Sequence, residues 1–244
     1  MEDLMKAGQE PAGEGIESKQ VVLTATGIEK AYPAPSGRLE VLRGLDLTVH
    51  RGTVVAIVGV SGVGKSTLLN ILGTIDHPDR GSVEIRGRKV EELGEGELAR
   101  FRARHLGFVF QFHHLLPEFN AEENVMMPLL IAGEGRPAAQ ARARRALEAV
   151  GLPERWEHTP AQLSGGEAQR VAVARALVAG PELVMADEPS GNLDQAGAET
   201  LHGLMSTLAH RDQQTFVIVT HNDRLAAIAD RVLRLEAGQL VPVR

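Results

Sequence analysis

The chain has 244 residues, 43% of them hydrophobic and 24% charged, enough for one sizeable core with a smaller subdomain. A formal net charge of -6 gives no footprint of a nucleic-acid partner, and the absence of cysteine excludes disulfides, thiolate catalysis and thiolate-bound zinc. No apolar run approaches the ~18 residues that a membrane-crossing helix needs.

Residues 1–20 are rich in Gly and Glu and lack the basic start and apolar stretch of a secretory signal, so they read as a flexible cytoplasmic tail ahead of a single domain over 21–244. Period-two apolar patterning in Val21 to Ile28 and Val41 to Val49 predicts half-buried antiparallel strands. The continuous runs Val54 to Val58, Leu183 to Ala186 and Phe216 to Val219 predict central strands covered on both faces, and Gly107 to Phe110 predicts another strand. Helical patterns follow them at Lys65 to Leu72, Ala196 to Leu208 and Asp223 to Ala229. Between Gln111 and Pro181 helices dominate, with Ala138 to Val150 ended by Gly151 and Gly166 to Ala179 ended by Gly180-Pro181, so a helical subdomain is expected over about 112–180. The order predicts an α/β fold with a mainly parallel sheet, an antiparallel β subdomain and an inserted helical subdomain, with ligands at the carboxyl ends of the parallel strands.

At the end of the first central strand stands the run Gly59, Val60, Ser61, Gly62, Val63, Gly64, Lys65, Ser66, Thr67, a complete phosphate-loop pattern in its strand-loop-helix context. Its glycines let backbone N–H groups converge on phosphate oxygens, and the helix start adds its dipole. Lys65 suits the β- and γ-phosphates of ATP, the Ser66 hydroxyl suits Mg²⁺, and Thr67 suits the α-phosphate side. The core is therefore expected to be that of a P-loop NTPase. Asp187, at the end of a second central strand, suits Mg²⁺ held through water, and Glu188 is the candidate to activate the attacking water. Ser164-Gly165-Gly166-Glu167 fits a capping box before an apolar helix, but two successive glycines at a helix start also expose N–H groups to an anion. His113-His114 has no accompanying ligand set for a metal. The Arg142, Arg144 and Arg145 cluster reads as a solvated helix face.

Two phosphate-binding loops with one acidic strand end, together with Leu163-Ser-Gly-Gly-Glu-Ala-Gln-Arg170, resemble the ATP-binding cassette family over about residues 21–240. The resemblance implies a head-to-tail homodimer in which Ser164, Gly165, Gly166 and Glu167 of one copy close over the γ-phosphate on the phosphate loop of the other. It makes Gln111 a sensor of Mg²⁺ and γ-phosphate, Asp194 in Gly191-Asn-Leu-Asp194 part of the dimer seam, and His221 a switch contact to the γ-phosphate. Tyr32 then matches the aromatic that stacks on adenine, although the chain's one tyrosine also fits a partly buried core position. His221 likewise has a local alternative, a bond near the following helix start. Val63, Ala168 and Ser190 depart mildly from the family pattern.

The stretch from Phe110 to Leu130 is similar to the lipoprotein-releasing Lol branch of that family, and less specifically to its MacB-type export branch. That likeness implies integral membrane permease subunits docked near His113 to Leu130, at the cytoplasmic face of a bacterial inner membrane. Leu115, Leu116, Phe119, Met126 and Met127 are the expected apolar anchors, with packing of the subdomain's own core as the competing use. A DNA-repair cassette would carry a long coiled coil, and no sustained heptads occur. A small-molecule P-loop kinase leaves Leu163 to Glu167 and His221 unexplained.

Overall fold

The computed structural model describes residues 20–35 and 37–243, so the expected tail, apart from Gln20, lies outside the described residues. The chain runs through β1 (Val21–Ala34), β2 (Gly37–His50), β3 (Val54–Val58), α1 (Lys65–Leu72), β4 (Arg80–Ile85), β5 (Arg88–Lys89), α2 (Glu95–His105) and β6 (Leu106–Val109). It continues through α3 (Ala121–Ile131), α4 (Arg136–Ala149), α5 (Gly165–Leu177), β7 (Leu183–Asp187), α6 (Gln195–His210), β8 (Thr215–Val219), α7 (Asp223–Ala226), β9 (Arg231–Glu236) and β10 (Gln239–Pro242).

One sheet is antiparallel, in the order β2-β1-β4-β5, and the other has the order β10-β9-β3-β8-β7-β6 with every pair parallel except β10 against β9. The pleat explains the continuous apolar runs. Val54, Ala56, Val184, Ala186, Phe216 and Ile218 enter the core beneath α3 to α6. Val55, Ile57, Leu183, Met185, Val217 and Val219 enter the core shared with α1, α2 and the antiparallel sheet. A strand buried on both faces has no polar face to alternate with.

Several boundaries differ from the sequence expectation. The helix expected over Asp223 to Ala229 stops at Ala226, because Asp230 must reach β3: its Oδ2 accepts from Val54 N at 2.7 Å and its own N–H donates to Val54 O at 2.9 Å. α4 starts at Arg136, with Gly135 as its N-cap and a proline in its first turn. Of the expected solvated arginine face only Arg145 is exposed, while Arg142 and Arg144 are half-buried and paired. Arg142 pairs with Glu134 at 2.8 Å and donates to Val178 O at 2.6 Å, while Arg144 pairs with Glu122 of α3 and lies 3.8 Å from the Trp156 ring centroid. These contacts bind α4 to its neighbours on both sides.

Because β3, β6, β7 and β8 run parallel, their carboxyl ends lie along one edge, and the segments that follow them, at residues 59–66, 111, 187–188 and 220–221, meet there.

Candidate active site

The phosphate loop is shaped by glycines that nothing else replaces. Gly64 has φ +107, and a Cβ there would lie 2.3 Å from the Val41 side chain; a Cβ on Gly59 would meet Leu235 O at 2.9 Å. No side chain caps α1 at Gly64, so its first N–H groups face the loop. Lys65 is buried, with Nζ donating to Gly59 O at 2.9 Å and Val60 O at 3.1 Å, so the ammonium lies inside the loop it is expected to serve. Val60 and Ser61 are exposed at its crest, and Val63 packs against the core.

Ser66 hydrogen-bonds the Asp187 carboxylate. Burial holds the Asp187 carboxyl above its ordinary range and the charge of Glu188 adds to this, while Ser66 and Lys65 act the other way. A half-buried carboxylate beside a hydroxyl, destabilised in its charged form, is what a hard divalent cation would relieve, so the donor set fits Mg²⁺.

Glu188 is held in a left-handed backbone conformation, φ 44, that costs a non-glycine residue of order 1 kcal/mol or more. Its N–H donates to Val219 O at 2.9 Å. Its carboxylate is gripped at both oxygens: Oε1 lies 2.6 Å from His221 Nδ1, and Oε2 accepts from Thr220 Oγ1 at 3.0 Å. Thr220, fully buried, also accepts from Asn222 N at 3.0 Å. The strand end thus fixes the orientation of the acid, a role that sequence reading did not give to Thr220.

Gln111 and Asn192 exchange side-chain and backbone bonds, Gln111 Nε2 to Asn192 Oδ1 and Asn192 Nδ2 to Gln111 O, each 3.1 Å. That leaves Gln111 Oε1 as the oxygen for a cation. Gly191 stands close against this pair: a Cβ there would meet the Gln111 amide at 3.0 Å, so the amide would have to shift. Asp194 caps α6, its Oδ1 accepting from Gly197 N at 2.9 Å.

The capping box expected at Ser164 forms. Ser164 Oγ accepts from Glu167 N at 3.2 Å, and Glu167 Oε2 accepts from Ser164 N at 2.9 Å. The bond to Arg155, 2.8 Å, together with the Ser164 N–H, holds the Glu167 carboxyl down at about 2. An ionised carboxylate has no donor for a phosphate, so the Glu167 side chain serves the cap here. The cap uses a lone pair of Ser164 and leaves its hydroxyl proton to donate, beside the N–H groups of Gly165 and Gly166.

α5 also grips the segment after β6. Gln169 Nε2 donates to Phe110 O at 2.8 Å, and Arg175 donates to His113 O at 2.6 Å and His114 O at 2.7 Å. Both were missed; the available signal was two polar side chains amid the alanines and valines of α5. Tyr32 lies on β1, partly exposed, with its hydroxyl on Asp76 Oδ2 at 3.0 Å and Lys30 Nζ 5.4 Å from the ring centroid. It is no core residue.

Of the expected docking anchors, Leu115 and Met126 are corrected: both are buried in the subdomain core, and Phe119 and Met127 are half-buried. Leu116 is exposed, as are Phe112, Ile131 and Ile75. Ile75 and Ile131 border an apolar cleft of about 470 Å³ with Phe108, Phe110 and Pro128.

Residues 42–191 match the family model described as "ABC transporter". The chain is 52% identical over 223 residues to the lipoprotein-releasing system ATP-binding protein LolD of Chromohalobacter salexigens, covering 91% of this chain and 94% of that one. It is 53% identical to the LolD of Bacteroides fragilis, covering 88% and 98%. Among solved structures, the dimeric post-hydrolysis state of the ATP-binding cassette MJ0796 bound to ADP and Pi superposes with a TM-score of 0.82 at 36% identity, covering 91% of this chain and 99% of that one. With its ordered motifs, strand-end acid and these likenesses, the chain belongs to the ABC transporter family, as an ATP-hydrolysing subunit.

Proposed function

We propose that the chain is the ATPase of a lipoprotein-releasing transporter, acting as a head-to-tail homodimer on integral membrane permease subunits at the cytoplasmic face of a bacterial inner membrane. The names of its relatives and the dimeric state of the MJ0796 structure support this reading. Among the described residues no helix is long and apolar enough to cross a membrane, which is consistent with attachment through partners.

In this reading adenine stacks on Tyr32, and the triphosphate lies along the loop from Gly59 to Thr67 with the N–H groups of α1 facing it. Lys65 leaves the loop carbonyls for the β- and γ-phosphates. Ser66, Asp187 and Gln111 Oε1 would hold Mg²⁺, which supplies charge neutralisation at the phosphate oxygens. Water attacks the γ-phosphorus, its proton passes to Glu188, and the bond from the γ-phosphorus to the bridging oxygen breaks to leave ADP and phosphate. His221 keeps Glu188 aimed and contacts the γ-phosphate. Ser164, Gly165 and Gly166 of the second copy donate to the same phosphate across the seam, and Asp194 borders it. Membrane subunits dock over Leu116, Phe112 and the cleft at Ile131, and motion reaches them through Gln111 and the α5 contacts to Phe110, His113 and His114.

The observation that carries the proposal is the two-handed grip on Glu188 next to the Ser66–Asp187 pair. Glu188→Gln keeps the size and the bonding reach of the side chain, so nucleotide binding should persist while turnover falls by about 10² to 10⁴. ATP should then hold a stable dimer on gel filtration. Near-normal turnover by that variant, assayed with the membrane partners, would falsify the assignment.

A further inference from the structure

His202 is a buried polar side chain that none of the functional motifs contains. It lies on the inner face of α6, 9% exposed, with Nε2 2.9 Å from the hydroxyl of Ser190, itself 8% exposed. Burial first, and Arg224 next, hold its imidazole below the ordinary range against the pull of Glu199, so the neutral ring meets the hydroxyl. Ser190 follows Glu188 by two residues inside the turn closed by Gly191 N–H to Glu188 O at 2.9 Å.

That turn is attached at three places. Glu188 N–H fastens its start to Val219 O, Asn192 fastens its far side to Gln111, and His202 fastens its middle to α6. A cavity of about 680 Å³, bordered by Glu188, Ser190, Leu193, His202 and His221, adjoins it. The burial of Pro189 and Ser190 and these three bonds together fix where the turn stands, with the cleft open beside it. Released at Ser190, it can relax from the strained φ of Glu188 into this space.

We propose that His202 is a positioning residue for ATP hydrolysis: by holding Ser190 it fixes the turn that presents Glu188. The inference rests on the reading of Glu188 as the residue that activates water. It predicts a loss in kcat without a loss in nucleotide affinity, because the phosphate loop, Lys65 and Tyr32 make no contact with His202.

The test measures ATP turnover and melting temperature for the full chain as His202→Leu, His202→Gln, Ser190→Ala, the double variant His202→Leu/Ser190→Ala, and Glu188→Gln as reference. His202→Leu should lower kcat by about tenfold or more with KM for ATP within about twofold. Ser190→Ala should match it, the double variant should fall no further than either single one, and His202→Gln, whose amide can donate to or accept from the hydroxyl at similar reach, should recover most of the rate. A merely structural histidine would lower the melting temperature and leave kcat per folded molecule unchanged, and that result overturns the inference, as do losses that multiply in the double variant. Should His202→Leu fail to fold, Ser190→Ala decides by itself, since it removes the same bond from a small side chain. Loss of turnover in Glu188→Gln with full turnover in Ser190→Ala, and in His202→Leu where that variant folds, overturns this inference alone; turnover kept in Glu188→Gln overturns the role of Glu188 and the inference with it.

Discussion

Thr220→Val separates what holds the acid from what holds the fold. The two side chains have the same shape, so no cavity opens at this fully buried site, and the change removes one donor and one acceptor. The lost donor leaves Glu188 Oε2 without its 3.0 Å partner, and the lost acceptor leaves Asn222 N without its own. A bond to a charged group contributes about 1.5–3 kcal/mol and a neutral one about 1 kcal/mol. With the Glu188 side chain 15% exposed, water takes over part of the first, so the total falls near 2 kcal/mol. For a domain of this length that corresponds to a fall of about 4–8 °C in melting temperature. Turnover at saturating ATP should drop about tenfold, because only His221 still orients the carboxylate. Thr220→Ser is the control: it keeps the hydroxyl and loses a methyl, so it should cost about 1 kcal/mol of stability yet retain near wild-type kcat. Thermal melts and steady-state ATPase assays on the same preparations give both numbers. A Val variant that turns over within about twofold of wild type would refute the argument that Thr220 aims Glu188.

Three further outcomes are expected. A chain defective at Lys65 mixed with one defective at Ser164 should regain partial activity, because mixed dimers hold one intact composite site; activity linear in protein with no gain on mixing refutes the head-to-tail arrangement. Leu116→Glu, at an exposed position, should leave a folded ATP-binding subunit that loses its membrane partners in a pull-down, whereas Met126→Glu in the core should unfold the subdomain; full complex with Leu116→Glu removes the docking surface. Glu167 has a folded-state pKa depressed from 4.5 to about 2, so its contribution is complete above 4.5 and disappears as pH falls through 2. The stability gap between wild type and Glu167→Gln in urea should therefore be wide near about pH 6 and closed near about pH 2, and a gap independent of pH would show that the Arg155 pairing is not its source.

The amino-acid sequence by itself determined the parts whose signals are local. β3, β7 and β8 were legible because strands buried on both faces must be apolar at every position, and the phosphate loop because its glycines stand where φ is positive or a Cβ has no room. The Ser164 cap spans four residues and needs no distant partner to be recognised. The likeness to known cassettes assigned functions to positions that the residues alone left open, Tyr32 and Asp194 among them.

Tertiary structure decided the rest, since the remaining choices depend on partners far along the chain. Leu115 and Leu116 are neighbours of one chemical kind, yet one is buried and the other exposed, because α3 and α5 cover only one side of that loop. Gln169 finds Phe110 across 59 residues, Thr220 finds Glu188 across 32, and His202 finds Ser190 across 12. Period and spacing record which residues share an element face. They carry no information about which buried polar group completes another's hydrogen bonds, and that pairing exists only once the sheet has brought its strand ends to one edge.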